Sequence, residues 1–243
     1  MKRYLLLAIA TISILLCSIG IYAKGYGVGP CSDGKRPNCE DPIITKNNGY
    51  CIGKDEKVVY LTFDCGYENG YTNAILDTLS ANDVKAIFFI TGHYLNTSEA
   101  IVRRMVEEGH IVGNHSYSHR SFTKLSSNEI ISDCKKLEDL YYQKIGIEMS
   151  KYIRPPKGEY DNNSQTALAN NGYKSIFWSL AYVDWNKDLF YGNEYSYKKV
   201  MNKMHNGAII LMHTVSKDNM TDLDKIIKKL KNDGYEFMSV DTL

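Results

Sequence analysis

The sequence has almost no net charge: 29 Lys and Arg stand against 28 Asp and Glu, a balance of +1. Phosphate binding needs a basic surface, so nucleic acid is excluded as the expected partner. There is no internal repeat and no low-complexity tract, which excludes a repeat array. Past residue 23 no long apolar run occurs, so membrane contact is expected only through the N-terminal segment. The string HExxH is missing, which excludes the zinc-protease arrangement with its general base between two histidines. Of six cysteines, Cys17 lies in the N-terminal apolar stretch and five remain. That odd number leaves at least one outside any disulfide within the chain.

What is present suits one globular domain. The chain has 243 residues, 44% of them hydrophobic, enough for a sizeable core. A monomer is expected. Lys2 and Arg3 precede an apolar stretch over 4–23, which reads as a signal peptide or membrane anchor (residues 1–23). The rest is then expected outside the cytoplasm, secreted or membrane-anchored. Residues 24–55 are rich in Gly, Pro, Asn, Lys and Asp and read as a linker or loose N-terminal extension, dispensable for chemistry. Cys31, Cys39 and Cys51 crowd this segment, and outside the cell a disulfide among them is allowed. Cys134 reads as a small core residue on a helix. The 19 tyrosines offer rings that can stack on sugars.

From about residue 56 the pattern becomes regular. Strand-like runs fall at 58–63, 85–90, 111–113, 152–153, 175–180, 208–212 and 236–240. Helical patterns lie between them at 72–80, 98–108, 163–171, 196–204 and 221–232. Another helix starts at a capping box, Ser126 with Glu129, and carries Ile130, Cys134, Leu137 and Tyr141 on one face. Alternating strands and helices predict an α/β fold with a parallel sheet, as a distorted, incomplete (β/α) barrel of about seven strands over 56–243. In such barrels the chemistry sits at the C-terminal ends of the strands.

The chemically competent residues fall at those ends. Asp64 closes the first strand, and "NHSYSH" (114–119) follows the third. Arg154-Pro155-Pro156-Lys157-Gly158 follows the fourth. Asp184-Trp185 lies past the fifth, and His213 ends the sixth. A lone histidine is usually structural, whereas five strand ends converging on one rim point to an active site. His115 and His119 are four apart; on a helical turn they would share one face and hold one metal ion. The general base must then come from elsewhere, and Asp64 is the candidate.

These motifs, in this order, resemble the polysaccharide deacetylases with the NodB-homology fold, carbohydrate esterase family four. The resemblance covers about 56–243 and rests on Thr62-Phe63-Asp64-Cys65-Gly66, His115-Ser116-Tyr117-Ser118-His119, Arg154-Pro155-Pro156-Lys157-Gly158, Asp184-Trp185 and Leu211-Met212-His213. The strings "TFDCGYENGYT", "GNHSYSH", "FWSLAYVDW" and "LMHTVSKDN" are most similar to the delta-lactam-biosynthetic de-N-acetylases, which act on muramic acid in spore peptidoglycan. The resemblance implies Asp64 as general base, oriented by Arg154. It implies a divalent metal, with zinc the expected ion, on His115 and His119. His213 would be the general acid, paired with Asp184. The backbone N–H of Lys157 would serve the oxyanion, Trp185 and Leu211 would wall the acetyl pocket, and Tyr67 would also contact substrate. The expected partner is the peptidoglycan glycan strand. Glucosamine or chitin-type oligomers are the alternative substrate, and an inactive glycan-binding module the alternative of another class. The family usually carries an acid where Cys65 stands, and often another at Ala181. Cys65 is either a third, thiolate ligand completing a Cys-His-His site or a spacer.

Overall fold

The computed structural model describes residues 24–28 and 34–243. The apolar stretch read as a signal or anchor, with Cys17, lies outside the described residues, as does Cys31. Among the described residues no helix is long and apolar enough to cross a membrane.

The frame is a seven-stranded parallel sheet. Its longest strand is β2 (Val58–Cys65), buried along all eight residues. A strand buried on both faces draws its side chains from two cores. Val59, Leu61, Phe63 and Cys65 enter the larger one, under the helices. Val58 and Tyr60 enter a second one on the opposite face, and the two-residue period points Thr62 and Asp64 the same way. Around β2 stand β3 (Ile87–Ile90), β4 (Ile111–Asn114), β5 (Tyr152–Ile153), β7 (Lys174–Ser175), β8 (Ala208–His213) and β9 (Glu236–Phe237), in the order β7-β5-β4-β3-β2-β8, with β9 on the start of β2.

The expected strand over 175–180 is only partly regular. After β7, Ile176 bridges to Tyr50 and Leu180 bridges to Ile210 of β8. This run starts at one end of the sheet order and ends on the other, so the sheet curls nearly closed. That is the incomplete barrel expected from the sequence.

The helices are α1 (Pro42–Thr45), α2 (Thr72–Ala81), α3 (Gly92–Thr97), α4 (Glu99–Glu107), α5 (Ser127–Ile145), α6 (Asn162–Asn170), α7 (Tyr195–Lys203) and α8 (Lys217–Asn232). The capping box at Ser126 and Glu129 forms as expected, and Gly146 closes α5 in the left-handed conformation at φ 90°. Cys134 is buried on α5. The helix expected over 98–108 is preceded by a separate one, α3, which the pattern did not show. Ser98 is the C-cap of α3 and the N-cap of α4, with φ −137° breaking the run.

The described part of 24–55 is not the loose extension expected. Strand β1 (Lys24–Gly25) pairs antiparallel with β6 (Glu159–Tyr160). Cys39, Ile44 and Cys51 are buried in a small core with Tyr160 and Phe177. The Arg36 guanidinium donates to the carbonyls of Gly53, Lys54 and Asn206. Tyr50 exchanges backbone hydrogen bonds with Ser175 and Phe177. A composition of turn formers concealed the few apolar side chains that dock this segment.

Candidate active site

The register of the sheet assembles the site. Asp64 on β2 lies opposite His213 on the adjacent β8. Two strands away, Asn114 ends β4, opposite Ile153 of β5, and these two residues launch His115 and Arg154. All four chain ends open onto one cleft of about 580 Å³. Its lining includes Asp64, Tyr67, His115, His119, Lys157, Trp185, Leu211 and His213.

Arg154 is fully buried. Its guanidinium donates to Asp64 Oδ1 at 2.8 Å, to Thr62 Oγ1 at 2.8 Å, and to the carbonyls of Ile176 and Phe177 at 2.9 and 3.1 Å. It also lies over the Phe89 ring, 4.4 Å from the centroid. A guanidinium held on so many sides cannot turn away, so Asp64 is oriented as well as neutralised. Burial works to raise the Asp64 pKa, but Arg154, helped by His115 and His213, holds it below the ordinary range. A carboxylate that stays ionised can accept a proton.

His115 Nδ1 donates to the Arg154 carbonyl at 2.8 Å. That fixes the tautomer and leaves the Nε2 lone pair on the side of Asp64, whose Oδ2 lies 3.5 Å away. The His119 ring lies 4.9 Å from that of His115, centroid to centroid. The pair is not on a helical turn, as the spacing suggested; the stretch is a loop. Ser116 and His119 take left-handed φ values of 68° and 54°. Asn114 pins the loop: its Oδ1 accepts from the Ser116 N–H at 2.7 Å and its amide donates to the Cys134 carbonyl at 3.0 Å. Ser116 Oγ in turn accepts from the His119 N–H at 2.7 Å.

His213 Nδ1 donates to Asp184 Oδ1 at 2.7 Å, and its backbone N–H donates to Oδ2 at 2.8 Å. Burial disfavours a charged imidazole, yet Asp184 raises the His213 pKa above its ordinary value. The ring is therefore suited to hold and deliver a proton. Asn219 at the start of α8 completes this corner, donating to Asp184 Oδ2 at 2.7 Å and to the His213 carbonyl at 3.0 Å. Its own Oδ1 accepts from Tyr182 and Ser196.

The walls are aromatic. Trp185 is 59% and Tyr67 48% exposed, while Leu211 is buried. Lys157 turns at φ 61° and Gly158 at φ 64°. A Cβ on Gly158 would stand 2.5 Å from the Trp178 ring, so only glycine lets this turn approach the wall. Trp178 and Tyr26 also line the cleft. Neither was anticipated, and Tyr26 was missed because it lies in the supposed linker. Asn114, Ser116, Asn219 and Thr62 were missed as individual residues, although each falls inside one of the motif strings.

Cys65 does not join the cleft. It lies on the helix side of β2, fully buried in the larger core, with Thr214 Oγ1 3.6 Å from its sulfur. Burial pushes its thiol well above the ordinary pKa. Adjacent residues of an extended strand face opposite ways, and no bend at Gly66 reverses this for Cys65. The geometry favours the spacer over the thiolate ligand. Among the described residues no three His, Cys, Asp or Glu side chains form a metal-holding group. The donor chemistry of the two imidazoles nonetheless fits an open site. Burial lowers the His115 pKa, and burial with its neighbour His115 lowers that of His119 to about 4. Both can then offer a lone pair, beside an ionised Asp64.

A model of the polysaccharide deacetylase family matches residues 52–176, half of the chain. The chain belongs to the polysaccharide deacetylase family. Members are hydrolases acting on linear amide bonds, and this deacetylase carries the motifs of the family at the ends of its strands. It is 39% identical to the peptidoglycan-N-acetylmuramic acid deacetylase PdaA of Bacillus subtilis, over 88% of this chain and 81% of that protein. The solved structure of PdaA, a family 4 carbohydrate esterase, superimposes with a TM-score of 0.87 at 36% identity, covering 91% and 96% of the two chains. The peptidoglycan-N-acetylglucosamine deacetylase PgdA of Listeria monocytogenes is 37% identical over 78% of this deacetylase but only 39% of its own length.

Proposed function

We propose that this chain removes the N-acetyl group from muramic acid in peptidoglycan, opening the way to muramic delta-lactam formation in spore cortex. The reading is carried by one observation: a buried, ion-paired carboxylate, Asp64, faces a carboxylate-backed imidazole, His213, across adjacent parallel strands at the mouth of one cleft. The near full-length likeness to a muramic acid deacetylase supports the sugar. Likeness to a glucosamine deacetylase over most of this chain supports the second reading, glucosamine as the sugar. Action on peptidoglycan goes with an extracytoplasmic location. A pure binding module has no use for the paired base and acid.

In this mechanism the substrate amide enters between Trp185 and Leu211, its acetyl methyl toward the apolar wall. Asp64, kept ionised by Arg154, takes a proton from the attacking water. The Lys157 N–H meets the developing oxyanion. His213, protonated and held by Asp184, gives its proton to the departing amine. His115 and His119 would hold a divalent ion, zinc in the simplest reading; when bound it supplies polarisation of the water and the carbonyl. Cys65 has no part. Acetate release from purified peptidoglycan tests the reading. The wild-type chain should release acetate, chelator should stop it and added divalent metal restore it, while Asp64→Asn should release none. Release undiminished in Asp64→Asn would remove Asp64 from the mechanism.

A further inference from the structure

Two thiols in the N-terminal segment lie against each other. Cys39 Sγ and Cys51 Sγ are 2.9 Å apart, and both are buried in the small core with Ile44, Tyr160 and Phe177. A disulfide needs ~2.05 Å between sulfurs, so bond formation requires a shift of less than about 1 Å. The enclosed turn carries α1, whose cap residue Asp41 receives the Lys24 ammonium at 2.8 Å and the Tyr160 hydroxyl at 3.0 Å. Next to the thiols stands Tyr26. Its ring packs on Phe177 at 4.8 Å and edge-on to Trp178 at 5.1 Å. Its hydroxyl donates to the Trp178 carbonyl at 2.8 Å, and its backbone N–H donates to the Gly158 carbonyl at 2.8 Å. The same Tyr26 lines the cleft. The cysteine core therefore lies directly behind one wall of the site.

We propose that Cys39 and Cys51 form a disulfide that staples the N-terminal segment to the domain and fixes Tyr26 as a substrate-positioning wall of the cleft. The oxidant is an extracytoplasmic dithiol–disulfide oxidoreductase or a low-molecular-weight disulfide, so the proposal rests on the extracytoplasmic reading for its supply. The Cys39 thiolate attacks one sulfur of the oxidant's disulfide, forming a mixed disulfide and releasing the other sulfur as a thiolate. The Cys51 thiolate then attacks Cys39 Sγ and expels the second oxidant sulfur. Two electrons pass to the oxidant, and the two cysteine protons end on its thiols. The side-chain interaction with Cys51 lowers the Cys39 pKa, which suits Cys39 to the first attack. Once closed, the bond is shielded, with Cys51 only 2% exposed.

The test needs no activity. Purified full chain, fully reduced and then treated with glutathione disulfide, is denatured, alkylated and digested without reduction for mass spectrometry. A peptide linking Cys39 to Cys51 is expected, with Cys65 and Cys134 alkylated. Alkylated Cys39 and Cys51, or a link through Cys31, overturns the proposal. This outcome stands whatever the substrate proves to be, so its failure is separable from failure of the deacetylase reading. The positioning role is read by comparing oxidised wild type with the Cys39→Ser, Cys51→Ser double variant. Loss of the staple should lower Tm by roughly 5–10 °C and raise KM for a glycan oligomer with kcat retained, as Tyr26→Ala should also do. The same comparison of wild type before and after phosphine reduction keeps the test decisive where the double variant does not fold. Unchanged Tm and KM in both comparisons overturns the staple's role.

Discussion

Replacing Asp184 by Asn tests His213 as the proposed proton donor. The Asp184 carboxylate accepts three hydrogen bonds and donates none: from His213 Nδ1 at 2.7 Å, from the His213 N–H at 2.8 Å and from the Asn219 amide at 2.7 Å. An Asn there has one oxygen and one NH2 group, so at least one of these buried donors must face another donor. The cost of one such conflict is about 1–3 kcal/mol of stability, which leaves the fold formed. The larger effect falls on His213. Its raised pKa exists because Asp184 outweighs burial; with a neutral amide, burial dominates and the pKa falls below the ordinary value. Each unit by which it drops below the assay pH cuts the protonated fraction about tenfold. The sign is fixed: the acid is active when protonated, so activity is lost as pH rises through the His213 pKa. Asp184→Asn should move that alkaline limb to lower pH. It should also cut kcat near neutral pH by roughly 10²–10⁴, the usual worth of a positioned acid. The assay is acetate release across pH, with circular dichroism to establish folding. A folded Asp184→Asn protein with wild-type kcat and an unmoved alkaline limb would refute the assignment of His213 as the acid.

Cys65→Ser should keep metal-dependent activity but lose about 1–3 kcal/mol in denaturant titration, because it places a hydroxyl in an apolar core. Cys65→Asp should yield little folded protein; tighter metal binding with normal stability would show that the side chain reaches the cleft after all. Gly158→Ala should lower both stability and activity, since its Cβ meets Trp178 at a left-handed φ; an unaffected variant, by thermal melt and KM, would remove the close approach. A chain starting at Gly53 should melt lower than one starting at Lys24 and bind substrate more weakly, because it lacks Tyr26 and the Arg36 contacts. Equal melting temperatures would restore the loose-extension reading.

The sheet and most helices were legible because their signals are local. The run 58–63 is mostly apolar, with β-branched Val58, Val59 and Thr62, and the Ser126 box and Gly146 bracket α5. The motif residues Asp64, His115, Arg154, Asp184 and His213 were legible because a parallel sheet delivers residues at or just past its strand ends to one rim. Three features were not legible, each for a long-range reason. The side of β2 that Cys65 occupies depends on whether the strand bends at Gly66, and the sequence permits either. The histidine loop is shaped by Asn114 bonding across to α5, a partner 20 residues away. Tyr26 reaches the cleft through β1 pairing with β6, more than a hundred residues later, and no periodicity announces a two-residue strand.

Mass spectrometry of muropeptides, after incubating peptidoglycan with the full chain, reads out directly whether this base–acid site takes acetyl from muramic acid. Muramic acid lacking its acetyl group is expected, with glucosamine untouched and no deacetylation by Asp64→Asn. Acetyl lost from glucosamine alone, or from neither sugar under metal-replete conditions, would contradict that expectation.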